Sequence, residues 1–314
     1  MLNDFLKIYN RELWSFCVLR FGINPSPHPW KNVNKFAEWS TMVDEMEFDS
    51  IMIPDHYELP VPPFPSSELV DCWTTLSYLA AKTSRVKLGS LVNPIPRWIP
   101  SQLAKVIANV DYLSGGRVIA GFGLGFHEGE FVNYSPQAKL EDAPTRLERF
   151  VEGLEIILRL WTEDKVTFRG KYYTLKDATL LPKPVQKPRP PLWSGGLGRK
   201  SLMLTARYFD GWIAHSVPPP SPHGVRSPED YEERVKMIKE HMKRYGRDPS
   251  NFTFGYILMI GLIVKDFSKC FEVIESYRGA GCNYFIVEFT PTPPPEKYIE
   301  LTKKFAAEVM PSFT

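Results

Sequence analysis

Eight times along its 314 residues this chain passes from a short apolar run to a longer stretch whose apolar residues recur three and four positions apart. That alternation restricts the fold more than any single motif. The short runs read as strands buried on both faces, the longer stretches as helices with one buried face. Arg85–Phe131 shows the unit plainly. Val86, Leu88, Leu91 and Val92 form a strand that Asn93-Pro94 and Pro96 stop. Leu103, Val106, Ile107, Val110 and Leu113 mark a helix, Ser114-Gly115-Gly116 its cap, and Val118 to Phe122 the next strand. A crossover of this length leaves the two strands parallel, with both carboxyl ends on one side.

The other strands are expected at Ser15–Phe21, Asp49–Pro54, Pro191–Ser194, Gly211–His215, Phe252–Val264 and Tyr284–Phe289. Helices are expected through Val33 to Met46, through Leu76 to Ala80, and at Arg199–Tyr208, Glu229–Tyr245, Phe267–Arg278 and Glu296–Val309. Thr145-x-x-Glu148 has the form of a capping box opening a long helix with the stripe Leu147, Phe150, Val151, Leu154, Leu158 and Trp161. Arg169-Gly170, between Val166–Phe168 and Tyr172-Tyr173, predicts a small hairpin outside the main sheet. Eight strand–helix units close into a barrel, whereas an open doubly wound sheet usually holds five or six strands. The expectation is a (β/α)8 TIM barrel filling one domain over 1–314, with an insertion near 163–190.

Charge and composition remove several functions. A net charge of +2 from scattered basic residues gives no footprint for nucleic acid. The longest apolar run, Phe252–Val264, falls short of the ~18 residues that span a bilayer. The opening residues MLNDFLKIYNRELW are charged throughout and lack the apolar core of a signal peptide. Cys17, Cys72, Cys270 and Cys282 have no metal-like spacing and read as free thiols of a reducing cytoplasm. The histidines form no ligand cluster, so no metal is expected.

In a barrel the residues after each strand share one mouth. Here they are Asn24, Asp55-His56, Asn93 with Arg97, Gly123 with Gly125, Gly195-Gly196, His215-Ser216 and Glu288. Asp55-His56 offers an imidazole for proton transfer beside a carboxylate, or else an Asx turn and a structural histidine. Gly121-x-Gly123-x-Gly125 follows a strand but opens no helix, which rules out a dinucleotide fingerprint. Close approach to a flat ligand and a tight loop both remain open. Ser194-Gly195-Gly196-Leu197-Gly198-Arg199-Lys200 joins a strand to a helix, the setting in which backbone amides and the helix dipole hold a phosphate. It matches neither a P-loop nor a GxSxG elbow, and an ordinary flexible turn is the alternative.

These residues sit in segments that resemble the bacterial-luciferase-like family of flavin- and deazaflavin-dependent oxidoreductases. The resemblance is carried by FDSIMIPDHY (48–57), RVKLGSLVNPIPRWIPSQLA (85–104), LSGGRVIAGFGLGFHEGEF (113–131), PTRLERFVEGLEIILRLW (144–161) and PLWSGGLGRKSLMLTARYFDGW (191–212). It implies a homodimeric barrel acting on a small-molecule substrate. The catalytic pair would be His56 with Asp55 orienting it. The cofactor would rest on Ser90, Leu91, Asn93, Gly123 and Gly125, with its phosphate at Ser194, Gly195, Gly196, Gly198 and Arg199. The resemblance also implies a non-proline cis peptide in a bulge of the third strand, placed at Ser90–Leu91. Coenzyme F420, transferring hydride, is the expected cofactor; reduced FMN activating oxygen is the alternative, and a non-catalytic flavin-binding barrel a third reading. Dehydrogenase-type members carry glutamate directly after the last glycine of the GxGxG segment, where this chain has Phe126.

Overall fold

The computed structural model describes residues 18–25, 30, 32–58, 69–216, 224–261 and 267–314. Cys17, the start of the first expected strand, most of the proline-rich loops and the end of the Phe252–Val264 run lie outside the described residues. Among the described residues eight parallel strands alternate with helices as a (β/α)8 barrel, the fold the alternation predicts. The chain divides into two compact units, each carrying four of those strands.

One unit comprises 24–45 and 50–196. Its strands Ser50–Ile53, Lys87–Ser90, Val118–Gly123 and Leu192–Ser194 lie side by side in that order, all parallel. Register sets Ile53 beside Ser90, Leu88 beside Val118, and Phe122 beside Ser194. The carboxyl ends therefore share one edge, and the residues that follow them build the site. Ser50–Ile53 is buried at every position, which is why it shows no polar alternation.

The third strand is bulged. Gly89 pairs with Ile119 and Asn93 with Phe122, so three residues on one strand face two on the other. The peptide between Leu91 and Val92 is cis, one bond beyond Ser90–Leu91. Ser90 Oγ is fixed in the barrel wall, donating to Gly121 O at 3.1 Å and accepting from Gly121 N at 2.9 Å.

Helix Pro100–Leu113 buries Leu103, Ile107 and Val110 as its stripe requires, but Leu113 is 64% exposed at its last turn. Gly115 and Gly116 then take φ of +69° and +87°, and Gly116 N returns to Asp111 O at 2.8 Å. The expected capping box is not formed. Helix Ala143–Thr162 is capped by Asp142, whose carboxylate accepts the Thr145 amide at 2.8 Å. Glu148 instead reaches Lys171 Nζ and the Tyr172 hydroxyl on the insertion. The hairpin pairs Val166–Arg169 with Thr174–Ala178, so Tyr172 and Tyr173 lie in its turn rather than its second strand. Glu152 sets that turn by accepting the amides of Lys171, Tyr172 and Tyr173. Buried Asp111 holds the later part of the insertion through the amides of Val185 and Gln186.

The other unit comprises the described residues of 1–23 together with 46–49 and 197–314. Arg20–Ile23, Tyr284–Thr290, Thr253–Gly261 and Gly211–Ala214 are parallel neighbours in that order. Helices Arg199–Tyr208, Pro228–Arg244, Ser268–Gly279 and Pro295–Glu308 follow their strands. Tyr256 stacks on Tyr277 at 3.9 Å between ring centres, and Tyr231 packs beside both. Cys72, Cys270 and Cys282 are buried and unbridged.

Candidate active site

Strand Ser50–Ile53 delivers Asp55 and His56 to the mouth, and the two side chains part company there. No hydrogen bond joins them. His56 Nδ1 lies 3.2 Å from each carboxylate oxygen of Glu130, a residue from the loop-and-helix segment after Val118–Gly123. The orienting contact expected of Asp55 is thus made by Glu130. Asp55 is 1% exposed and turns inward: Asn93 Nδ2 donates to Oδ2 at 2.7 Å and Trp98 Nε1 donates to the same oxygen at 2.9 Å. Arg97 Nη2 stands 2.7 Å from Oδ1.

Arg97 links the two carboxylates, since its Nη1 lies 2.9 Å from Glu130 Oε2. Its guanidinium is buried and rests over the Tyr57 ring, 4.2 Å from the centroid. Glu130 Oε1 also accepts the amides of Tyr57 at 2.6 Å and Glu58 at 3.3 Å. Helix Glu128–Tyr134 holds Glu130 in place, its N-cap His127 accepting the Glu130 amide through Nδ1 at 3.2 Å. So the His127-Glu128-x-Glu130 stretch supplies a cap and a buried carboxylate. No group of three metal-ligating side chains occurs among the described residues.

The electrostatics follow from these donors. Burial pushes the Asp55 carboxyl up, while Arg97, Asn93 and Trp98 pull it down. Burial prevails, so the carboxyl stands above the usual carboxylate range. Burial also acts to raise Glu130. The hydrogen bond and charge of His56, Arg97 and the Tyr57 amide outweigh it and hold Glu130 below the usual carboxylate range. His56 is the open member of the set, its side chain 22% exposed and meeting exposed Phe126 edge-on at 5.8 Å.

The glycines after Val118 have a clear packing reason. A Cβ on Gly123 would come 2.8 Å from Val92 Cγ2, and one on Gly195 would come 2.9 Å from the same methyl. A Cβ on Gly121 would strike the Ser90 carbonyl. Gly125, at φ +72°, turns against Pro94 and Phe131. The row makes room for the bulge, and Leu91 and Val92 remain partly exposed at its crest.

The glycine loop divides its amides. Gly195 N donates to Phe122 O at 3.1 Å and Gly196 N to Ser194 Oγ at 3.2 Å, so neither points outward as expected. Helix Arg199–Tyr208 is different: Gly198 is its N-cap and no side chain caps it. A Cβ on Gly198 would meet nothing within 4 Å, and its φ of −79° is open to any residue. Packing does not require glycine there, and glycine is a common N-cap residue in its own right.

Asp55, His56, Ser90, Leu91, Asn93, Gly123, Gly125, Ser194, Gly195 and Gly196 all belong to one unit, with Gly198 and Arg199 opening the first helix of the other. Sequence reasoning placed Arg97 at the mouth without a role and weighed Glu130, in His127-Glu128-x-Glu130, only for metal binding, which the missing second histidine discounts. No spacing in the sequence marks Glu130 as buried, and nothing local names its partner.

The luciferase-like monooxygenase profile matches residues 13–266. A protein of Microbacterium testaceum (strain StLB037) named F420-dependent glucose-6-phosphate dehydrogenase is 32% identical over 73% of this chain and 64% of its own length. An FMNH(2)-dependent dimethylsulfone monooxygenase of Pseudomonas putida is 33% identical over 45% of this chain and 38% of its own length. The chain thus spans less than two thirds of either relative. The structure of an F420-dependent secondary alcohol dehydrogenase in complex with an F420-acetone adduct superposes with a TM-score of 0.76 at 20% identity, covering 95% of this chain and 99% of that one. At that identity the likeness concerns the barrel fold.

Proposed function

This chain belongs to the luciferase-like monooxygenase family, and on that footing we propose that it is an oxidoreductase using the deazaflavin coenzyme F420 with a small organic substrate. The observation that carries the reading is His56: a half-open imidazole at a strand's carboxyl end, held through one nitrogen by a buried carboxylate. When bound, a deazaflavin gives or takes a hydride as a two-electron carrier.

The residues fit such a group. The partly exposed crest at Leu91 and Val92, with Asn93, Gly123 and Gly125 behind it, offers a backbone face for a flat ring. In the other unit, the uncapped helix behind Gly198, with exposed Arg199, has the free amides and positive charge that suit a phosphate. Asp55 acts at one remove, by holding Arg97 and through it Glu130. On this reading residues 1–314 work as one catalytic domain in a cytoplasmic homodimer. No helix of the described residues is long and apolar enough to cross a membrane.

The FMN reading keeps the same barrel and is favoured by the Pseudomonas relative. Titration of purified protein with F420 and with FMN decides between them. Tight F420 binding with FMN at least ~10-fold weaker, a difference of about 1.4 kcal/mol, supports the proposal. Tight FMN binding with no measurable F420 affinity overturns it.

A further inference from the structure

We propose that Glu130 is the positioning residue of His56, fixing its imidazole with the proton on Nδ1 so that Nε2 is the atom exchanging a proton with substrate. This rests on the reading of His56 as the group at the reacting centre.

The argument is one of donors and acceptors. Around Glu130 two backbone amides donate, Tyr57 N at 2.6 Å and Glu58 N at 3.3 Å, and the Arg97 guanidinium pairs with Oε2 at 2.9 Å. With those partners the group is a carboxylate, which only accepts. His56 Nδ1 sits 3.2 Å from both of its oxygens. A lone pair on Nδ1 would face two anionic lone pairs in a buried setting, so Nδ1 carries hydrogen whether the ring is neutral or charged. In the neutral ring the lone pair is then on Nε2.

That nitrogen has no protein hydrogen-bond partner among the described residues, nor does it number among the buried unpartnered atoms. It is therefore reachable. This imidazole is held at one nitrogen and open at the other. Asp55 cannot take the positioning role, because its oxygens are committed to Asn93, Trp98 and Arg97. The charged and titratable groups next to the pair are Arg97, with Asp55 and the Tyr57 ring against it, and His127, which accepts the Glu130 amide. In each direction of reaction the proton moves between Nε2 and substrate while the Nδ1 hydrogen stays in place.

The test needs no substrate. Long-range 1H–15N correlation of ligand-free protein labelled at histidine, with the His56 signals identified by their loss in His56→Asn, reads the tautomer directly. The expected spectrum has neutral His56 as the Nδ1–H form, and Glu130→Gln, whose amide can both donate and accept, loses that preference. An Nε2–H tautomer in the unsubstituted protein overturns the proposal, as does an unchanged tautomer in Glu130→Gln. If Glu130→Gln fails to fold, the spectrum of the unsubstituted protein decides alone. F420 titration of the same samples separates the two readings: absent F420 binding with the Nδ1–H tautomer intact would remove the cofactor assignment and leave the positioning role standing.

Discussion

Arg97 Nη1 lies 2.9 Å from Glu130 Oε2, with both side chains almost wholly shielded from water. The same guanidinium faces Asp55 on its other side, so one cation bridges two buried carboxyl groups from different loops. These contacts are ion pairs more than aligned hydrogen bonds, and Arg97 Nε has no hydrogen-bond partner. Such a group adds modestly to stability when intact and costs heavily when broken, because the remaining charges stay desolvated.

Arg97→Met should therefore destabilise the fold by about 3–5 kcal/mol, with Arg97→Lys losing less because it keeps the charge but not the fork. Urea unfolding at neutral pH measures both. A midpoint for Arg97→Met that matches the unsubstituted protein would contradict the bridging role.

The pH dependence has a fixed sign. Glu130 is held below its ordinary 4.5, so as the medium is acidified the unfolded chain takes up that proton first. Its stabilising contribution is complete above 4.5 and is lost as pH falls through the lower folded value. Unfolding free energies measured from about pH 6 to about pH 3 should decline less steeply in Glu130→Gln than in the unsubstituted protein. Parallel curves would show that Glu130 does not titrate as the geometry requires.

Gly198→Asp should separate stability from binding. An aspartate at this uncapped N-terminus can accept a first-turn amide, which adds a few tenths of a kcal/mol to stability. It also places a negative charge where the cofactor phosphate is proposed to sit, so F420 affinity should fall at least ~10-fold, or about 1.4 kcal/mol. Thermal unfolding and cofactor titration read the two effects. Unchanged affinity would move the phosphate away from this helix.

Gly195→Val should behave in the opposite way. Its Cβ would come 2.9 Å from Val92 Cγ2, so the cost is overpacking of the bulge, about 1–3 kcal/mol. Val92→Ala in the same chain should recover part of that loss, a coupling that a double-mutant cycle quantifies. Additive effects would mean that the two side chains do not meet.

The loop after strand Ser50–Ile53 shows how far the sequence alone reached. Burial patterns are local: an apolar run of four residues and a three-to-four stripe are written in consecutive positions. The strands, their helices and the barrel follow from them. Strand ends follow too, which is why the sequence alone puts Asp55, His56 and Asn93 just after strands. The same reasoning went astray where a side chain had a choice of partners. Thr145 and Glu148 had the spacing of a capping box, but Asp142 stood one turn earlier and capped the helix first.

The sequence by itself determined that this chain is a barrel with a histidine at the end of its second strand, because buried periodicity is set by neighbours along the chain. Only the tertiary structure decided that Glu130, 74 residues further on, holds that histidine, and that Arg97 ties it to Asp55. It also decided that Gly123 and Gly195 yield to Val92. Those choices depend on loop paths and on a bulge that shifts the register by one residue. Ion pairing and close packing act through space over a few ångströms, and no spacing in the sequence encodes which loops come that near.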